Sequence, residues 1–152
     1  MSSFLSKAAK KLPSIISRRA PGTQTTRQSS SFQSVGIAGL GLMGHGICQV
    51  AASSNLHSSI IAFEAEQQYL DKGKARIESS VSKQVARGKI EQDDADKILA
   101  GITYTTNPDD LADTDFIVEA VIENMDLKKD LYSSLSAVCK PETIFASNTV
   151  RI

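Results

Sequence analysis

Acidic residues are missing from the first 63 positions of this chain, and cysteine, histidine and long apolar runs are scarce throughout its 152 residues. Each shortage narrows the possibilities. The two cysteines, Cys48 and Cys139, make no C-x-x-C pair and have no histidine at ligand spacing, so neither a disulfide framework nor a metal or redox site is expected. Buried reduced thiols are the expectation for both. No stretch reaches the roughly 18 consecutive apolar residues of a membrane-spanning helix. The 17 basic and 17 acidic residues cancel only formally, because Lys7, Lys10, Lys11, Arg18, Arg19 and Arg27 all precede Ser34 and leave 11 basic against 17 acidic residues beyond it. An acidic body argues against nucleic acid as a partner, since phosphate binding needs clustered Lys and Arg. With 41% apolar and 22% charged residues, the remainder is composed like one ordinary globular domain.

Residues 1–34 hold nine serines and six basic residues, the composition of a mitochondrial transit peptide. Advanced at about 100° per residue, Phe4, Leu5, Ala8, Leu12, Ile15 and Ile16 share one arc, while Lys7, Lys10, Lys11 and Arg18 lie off it. Pro13 interrupts a continuous helix, and a disordered basic tail is the alternative. Import to the mitochondrial matrix is the favoured reading. Secretory export is not, because no continuous apolar core precedes a small-residue cleavage site.

Beyond Ser34 the pattern alternates. Val35–Ala38 reads as a first strand, followed by a helix with Ile47, Val50 and Ala51 turned inward. Between them Gly39, Gly41 and Gly44 form G-x-G-x-x-G at a strand-to-helix junction, the context in which that motif grips a dinucleotide. The glycines permit the tight turn, close approach of backbone N–H groups to a diphosphate, and close helix–strand packing. Unpaired N–H groups and the positive dipole end of the helix favour the anion. Ile60–Phe63 reads as a strand covered on both faces, and it ends at Glu64, 20 positions after Gly44. A carboxylate there accepts from both hydroxyls of the adenine ribose and repels a 2′-phosphate, which selects NAD over NADP. His45 reads as a solvent-facing residue at the helix start, and His57 lies in the turn before the second strand.

From Glu66 to Lys89, Leu70, Ile77, Val81 and Val85 mark an amphipathic helix bearing Lys72, Lys74, Arg76, Lys83 and Arg87 on its surface. Those cations suit a phosphorylated substrate such as coenzyme A, or a plain solvated face. A second short helix over Asp93–Ala100 turns Ile98 and Leu99 inward. Ile102–Thr105 is a third strand, Asn107–Asp110 a turn, and Phe116–Val118 with Ala120–Val121 a fourth strand. Asp126 starts a helix to about Val138 with Leu127, Leu131, Leu135 and Val138 on its inner face, Pro141 stops it, and Thr143–Ala146 is a fifth strand. Such alternation predicts an α/β fold of Rossmann type, a doubly wound parallel sheet, with Gly39–Gly44, Glu64, Glu123 and Asn148 along one edge.

Gly39-Leu40-Gly41-Leu42-Met43-Gly44-His45-Gly46-Ile47, Val118-Glu119-Ala120-Val121-Ile122-Glu123-Asn124 and Ile144-Phe145-Ala146-Ser147-Asn148-Thr149 together resemble the NAD-binding N-terminal domain of the 3-hydroxyacyl-CoA dehydrogenases, mitochondrial form. The resemblance implies oxidation of (3S)-3-hydroxyacyl-CoA to 3-ketoacyl-CoA in fatty-acid β-oxidation. It puts the diphosphate on Gly39–Gly44, including Leu40, Leu42 and Met43, the adenine ribose on Glu64 in place of the family's usual Asp, and the nicotinamide half near Glu123, Lys128 and Asn148. It implies coenzyme A contacts at Ser80 and Arg87, where Arg replaces a customary Lys, and a structural part for Glu119. The family's substrate-contacting serine falls at Val150, which can neither donate nor accept the hydrogen bond. Its catalytic His with a Glu partner, and the helical domain that closes the site and forms a homodimer, would lie downstream, so residues 35–152 read as a truncated Rossmann unit, incomplete on its C-terminal side, that binds NAD without turnover. A non-catalytic NAD-binding or structural relative, or another β-hydroxyacid dehydrogenase, are the alternatives.

Overall fold

The computed structural model describes residues 32–148, and it turns the alternating pattern into alternating strands and helices. The strands are β1 (Ser34–Ala38), β2 (Ser59–Phe63), β3 (Ile102–Thr105), β4 (Phe116–Glu119) and β5 (Ile144–Ser147). The helices are α1 (Gly44–Ser54), α2 (Gln67–Ala86), α3 (Gln92–Ala100) and α4 (Met125–Val138), with a 3-10 turn over Pro108–Leu111. All strand pairs are parallel, in the order β3-β2-β1-β4-β5. The chain builds outward from β1 to β3 and then returns to the other side of β1 as β4. The loops after β1 and β4 therefore stand side by side at one edge, which is where open α/β sheets bind ligands. The transit-peptide reading up to residue 31, and Thr149 and Val150, lie outside the described residues.

Side-chain alternation along the strands supplies two cores. On one face Val35, Ile37, Ile60, Ala62 and Ile102 meet Cys48 and Ala52 of α1, Leu70, Ile77 and Val81 of α2 and Ala95 of α3. On the other, Ala38, Phe63 and Ile117 meet Leu111 of the 3-10 turn and Leu135 of α4, with Ile61, Leu131 and Phe145 packed around them. Burying side chains of this size contributes about 1.5–3 kcal/mol each before entropy is counted.

Several sequence expectations need correction. Val50 is 71% exposed, because α1 buries the stripe containing Gly44, Cys48 and Ala52 and leaves Ile47 and Ala51 on its flank. Leu127 is 40% exposed, since α4 turns its neighbour Lys128 inward, while Leu135 is buried as expected. β4 stops at Glu119 rather than running on to Val121: the Val121 N–H donates to the Glu119 carboxylate and not to a neighbouring strand. Asn107 caps a 3-10 turn, which carries Leu111 into the core. The start of α4 belongs to Asn124, whose Oδ1 accepts from the N–H groups of Asp126 and Leu127. Cys48 is fully buried, with its thiol pushed up to about 12 by desolvation, whereas Cys139 is only half-buried.

At the sheet edge remote from the glycine loop, Asp115 ties three segments together. Its Oδ2 accepts from the N–H groups of Gln33 (2.7 Å) and Ser34 (2.9 Å), and its Oδ1 faces Lys140 Nζ at 2.5 Å. The Lys140 hydrogen bond, followed by those two N–H donors, lowers the Asp115 carboxyl from 3.8 to about 2. A carboxyl depressed in the folded state adds stability above its unfolded value and loses it as pH falls through the folded one. The stability advantage of the parent over Asp115→Asn should accordingly be full near pH 5 and be lost as pH falls through about 2 in paired acid-unfolding curves. An advantage independent of pH would show that Asp115 acts through shape alone.

Candidate cofactor site

The glycine loop leaves β1 at Gly39, whose N–H donates to the Phe63 carbonyl at 2.9 Å. Gly39 has φ +97°, and a Cβ there would stand 2.9 Å from the Ala120 and Val121 backbone. A Cβ on Gly44 would lie 1.7 Å from the Gly39 carbonyl oxygen. These two positions are required by the fold. Gly41 is different: a Cβ would meet no protein atom within 4 Å. Its side-chain direction opens onto the space beside the start of α1, a helix with no side-chain N-cap and no acidic residue in its first turn. A helix end left without a cap has N–H groups to offer an anion. The loop therefore fits a diphosphate.

Between those glycines Leu40 is clamped. Its side chain is buried against Gly73 of α2, its N–H donates to Glu64 Oε1 at 2.6 Å, and its carbonyl faces Arg76 Nη1 at 3.5 Å. Leu42 and Met43, the loop tip, are exposed. His45 departs from its solvent-facing expectation, being half-buried with Nδ1 2.8 Å from the Gly41 carbonyl. Glu64 follows β2 at the same edge, and its own N–H donates to the Thr105 carbonyl at 3.1 Å. Burial raises the Glu64 carboxyl, the Leu40 N–H pulls against that, and Glu66 adds repulsion.

Across the crevice the β4 side carries a buried polar cluster. Glu119, whose side chain is 2% exposed, accepts from the Val121 N–H at 2.9 Å and from the Ser147 hydroxyl at 2.6 Å. Its Oε2 also lies 3.2 Å from Lys128 Nζ and 3.5 Å from the Tyr132 hydroxyl. Desolvation works to raise the Glu119 carboxyl, but the Ser147, Val121 and Lys128 hydrogen bonds and the lysine charge outweigh it, and the net shift is downward. Asn148 is held beside this cluster by its N–H donating to the Glu119 carbonyl at 2.8 Å. Glu123 sits exposed on the loop between β4 and α4.

The edge thus gathers Gly39–Gly44, Glu64, Glu123 and Asn148 as the sequence predicts, while Lys128, which only the family resemblance brought to the site, lies buried against Glu119. Ser80 lies elsewhere, in an open cleft of about 350 Å³ with His45, Arg76, Ser79 and Lys83. Arg87 is exposed at the C-terminal cap of α2 and does not line that cleft. Sequence reading gave Glu119 only a part in the strand. The signal for more was a carboxylate inside an otherwise apolar buried run, which is stable only when paired.

A parallel sheet of order β3-β2-β1-β4-β5, a G-x-G-x-x-G turn and an acid ending β2 define a dinucleotide-binding Rossmann domain. Residues 34–152 match the family described as 3-hydroxyacyl-CoA dehydrogenase, NAD binding domain. The chain belongs to that family, whose members are NAD-dependent oxidoreductases, and NAD is the cofactor of this domain. A probable 3-hydroxybutyryl-CoA dehydrogenase of Deinococcus radiodurans is 43% identical over 117 residues, which cover 77% of this chain and 41% of that protein. A peroxisomal fatty acid beta-oxidation multifunctional protein of Arabidopsis thaliana is 32% identical over 149 residues, 98% of this chain and 19% of the relative. The crystal structure of (S)-3-hydroxybutyryl-CoA dehydrogenase PaaH1 from Ralstonia eutropha superimposes with a TM-score of 0.75 at 34% identity, covering 80% of this chain and 42% of that one. The chain thus spans less than half the length of these relatives.

The two motif glycines with opposite surroundings make a direct comparison. Gly44→Ala should lose roughly 1–3 kcal/mol of stability from overpacking against backbone. Gly41→Ala should stay within about 0.5 kcal/mol of the parent. Thermal unfolding of both variants checks the contrast, and equal losses would contradict it.

Proposed function

We propose that this chain supplies the NAD-binding half of an enzyme that oxidises (3S)-3-hydroxyacyl-CoA to 3-ketoacyl-CoA in fatty-acid β-oxidation. The observation that carries the reading is Gly41, a loop glycine beside an uncapped helix N-terminus with nothing of the protein to explain it. The diphosphate would lie on the backbone of Gly39–Gly44, with Leu42 and Met43 flanking it. Glu64 would hold the adenine ribose with the oxygen that Leu40 does not use. Glu123, Lys128 and Asn148 would bound the nicotinamide half. Bound NAD supplies the hydride acceptor for carbon 3 of the substrate.

The cationic cleft of His45, Arg76, Ser80 and Lys83 suits the phosphates of coenzyme A, with Arg87 as an outlying contact. Removal of the 3-hydroxyl proton needs a general base, worth about 10²–10⁴ in rate. Of the chain's two histidines, His45 belongs to the glycine loop and His57, whose Nδ1 lies 2.9 Å from the Phe32 carbonyl, precedes β2 at the opposite edge. The described residues thus offer no imidazole on the nicotinamide side. In the family resemblance that base and the dimer contact belong to a helical domain. The serine-rich, basic composition ahead of the folded domain suits a mitochondrial presequence directing the protein to the matrix, ending before Gln33 and Ser34, which are anchored on Asp115.

Titration of the 152-residue polypeptide with NADH, followed by nicotinamide fluorescence, should give saturable binding, with NADPH weaker by about tenfold or more through repulsion at Glu64. Gly41→Val should abolish that binding while the fold survives. Incubation with NAD and a (3S)-3-hydroxyacyl-CoA should yield no NADH. Equal affinity for both dinucleotides, or turnover by this polypeptide alone, would overturn the respective parts of the proposal.

A further inference from the structure

The cluster around Glu119 is built from four separate stretches. The carboxylate ends β4, Val121 opens the next loop, Lys128 and Tyr132 stand one turn apart on α4, and Ser147 ends β5. Both charged partners are almost wholly buried, at 2% exposure for Glu119 and 9% for Lys128. Such a pair is rarely retained for stability alone, because desolvating the two ions offsets most of their attraction. Its place in the fold suggests another reason. A dinucleotide lying across the crevice has its adenine side toward β2, where Glu64 stands, and its second nucleotide toward β4 and β5, where this pair stands.

The cofactor changes charge only at that second end. The oxidised nicotinamide ring is a cation and the reduced ring is neutral, while the adenosine and diphosphate are the same in both. We propose that Glu119 is a positioning residue that holds Lys128 at the nicotinamide end as one half of a neutral pair, and that this neutrality sets the relative affinity for NAD and NADH. The inference rests on the assignment of NAD to this sheet edge. With both charges present, the pair's field on the ring is that of a short dipole. Removing either takes away the charge that offsets the other in a poorly solvated place, where Coulomb effects are several times larger than in water. Asn148 takes part indirectly, since its N–H hangs on the Glu119 carbonyl and its position follows the same anchor.

The two single substitutions should act in opposite directions. Glu119→Gln keeps the shape and leaves the Lys128 charge without the carboxylate facing it, which repels the oxidised ring. The ratio of the NAD to the NADH dissociation constant should rise by on the order of tenfold. Lys128→Met leaves the carboxylate, which attracts the oxidised ring, and the ratio should fall by a similar factor. The double variant, neutral and of similar volume, should return close to the parent ratio.

Isothermal titration of the 152-residue polypeptide with NAD, NADH and ADP-ribose reads all of these. ADP-ribose has no nicotinamide, so its affinity should change less than about threefold in every variant. Parallel losses of all three ligands, or single variants that move the ratio in the same direction, would overturn the proposal and leave Glu119 a purely structural residue. Should Glu119→Gln fail to fold, the Lys128→Met and double variants still decide the matter: the first must lower the ratio and the second restore it. Failure of the parent to bind any of the three ligands would instead strike at the cofactor assignment itself.

Discussion

The backbone between Gly39 and Gly44 runs so close to its neighbours that side chains are excluded at both ends: a Cβ at Gly44 would stand 1.7 Å from the Gly39 carbonyl, and one at Gly39 would press on Ala120 and Val121. That close approach sets α1 hard against the end of β1 and sets the β4 loop beside both. The opening between β1 and β4 is a consequence of it. The uncapped start of α1 follows directly on this turn. Loosening the turn would move the helix dipole, the Leu40 clamp and the β4 loop together, because each is packed on the same few backbone atoms.

The two sides of the crevice are stabilised by different physics. On the β2 side the Glu64 carboxylate accepts from the Leu40 N–H and from the Ala65 backbone. The extra methylene of Glu over Asp gives the side chain additional reach for the glycine loop. On the β4 side an ion pair with hydroxyl and amide donors is sealed under the loop. The first side is partly exposed, with Glu64 half-buried at the mouth of the glycine loop. The second is dry, with both charged side chains almost wholly buried, so the attraction within the pair is stronger than it would be in water.

The opposite edge shows the same economy in a wetter setting. Asp115 collects two N–H groups and Lys140, so the start of β1, the start of β4 and the segment after α4 are joined where no ligand is needed. Cys48 packs as a buried small hydrophobe in the first core, and Cys139 packs at the rim of the second with its Sγ 3.4 Å from the Leu111 carbonyl.

Local pattern was enough for much of this. Short β-branched runs made the strands legible, the glycine spacing marked the loop, and the distance from Gly44 to Glu64 marked the acid, because all three follow from geometry within one βαβ unit. Errors fell where partners are remote. Val50 and Leu127 look like inward residues on a helical wheel, yet which stripe a helix buries is settled by the sheet it meets. The end of β4 could not be read from an apolar run, since it is decided by a side-chain carboxylate capturing the Val121 N–H. The sequence by itself determined the fold class, the family and the place of the glycine turn. Only the tertiary structure decided that Glu119, Lys128, Tyr132 and Ser147 form one buried cluster, because a carboxylate, an ammonium and two hydroxyls spread over 29 positions have no periodicity to betray them and meet only when β4, α4 and β5 close on one another.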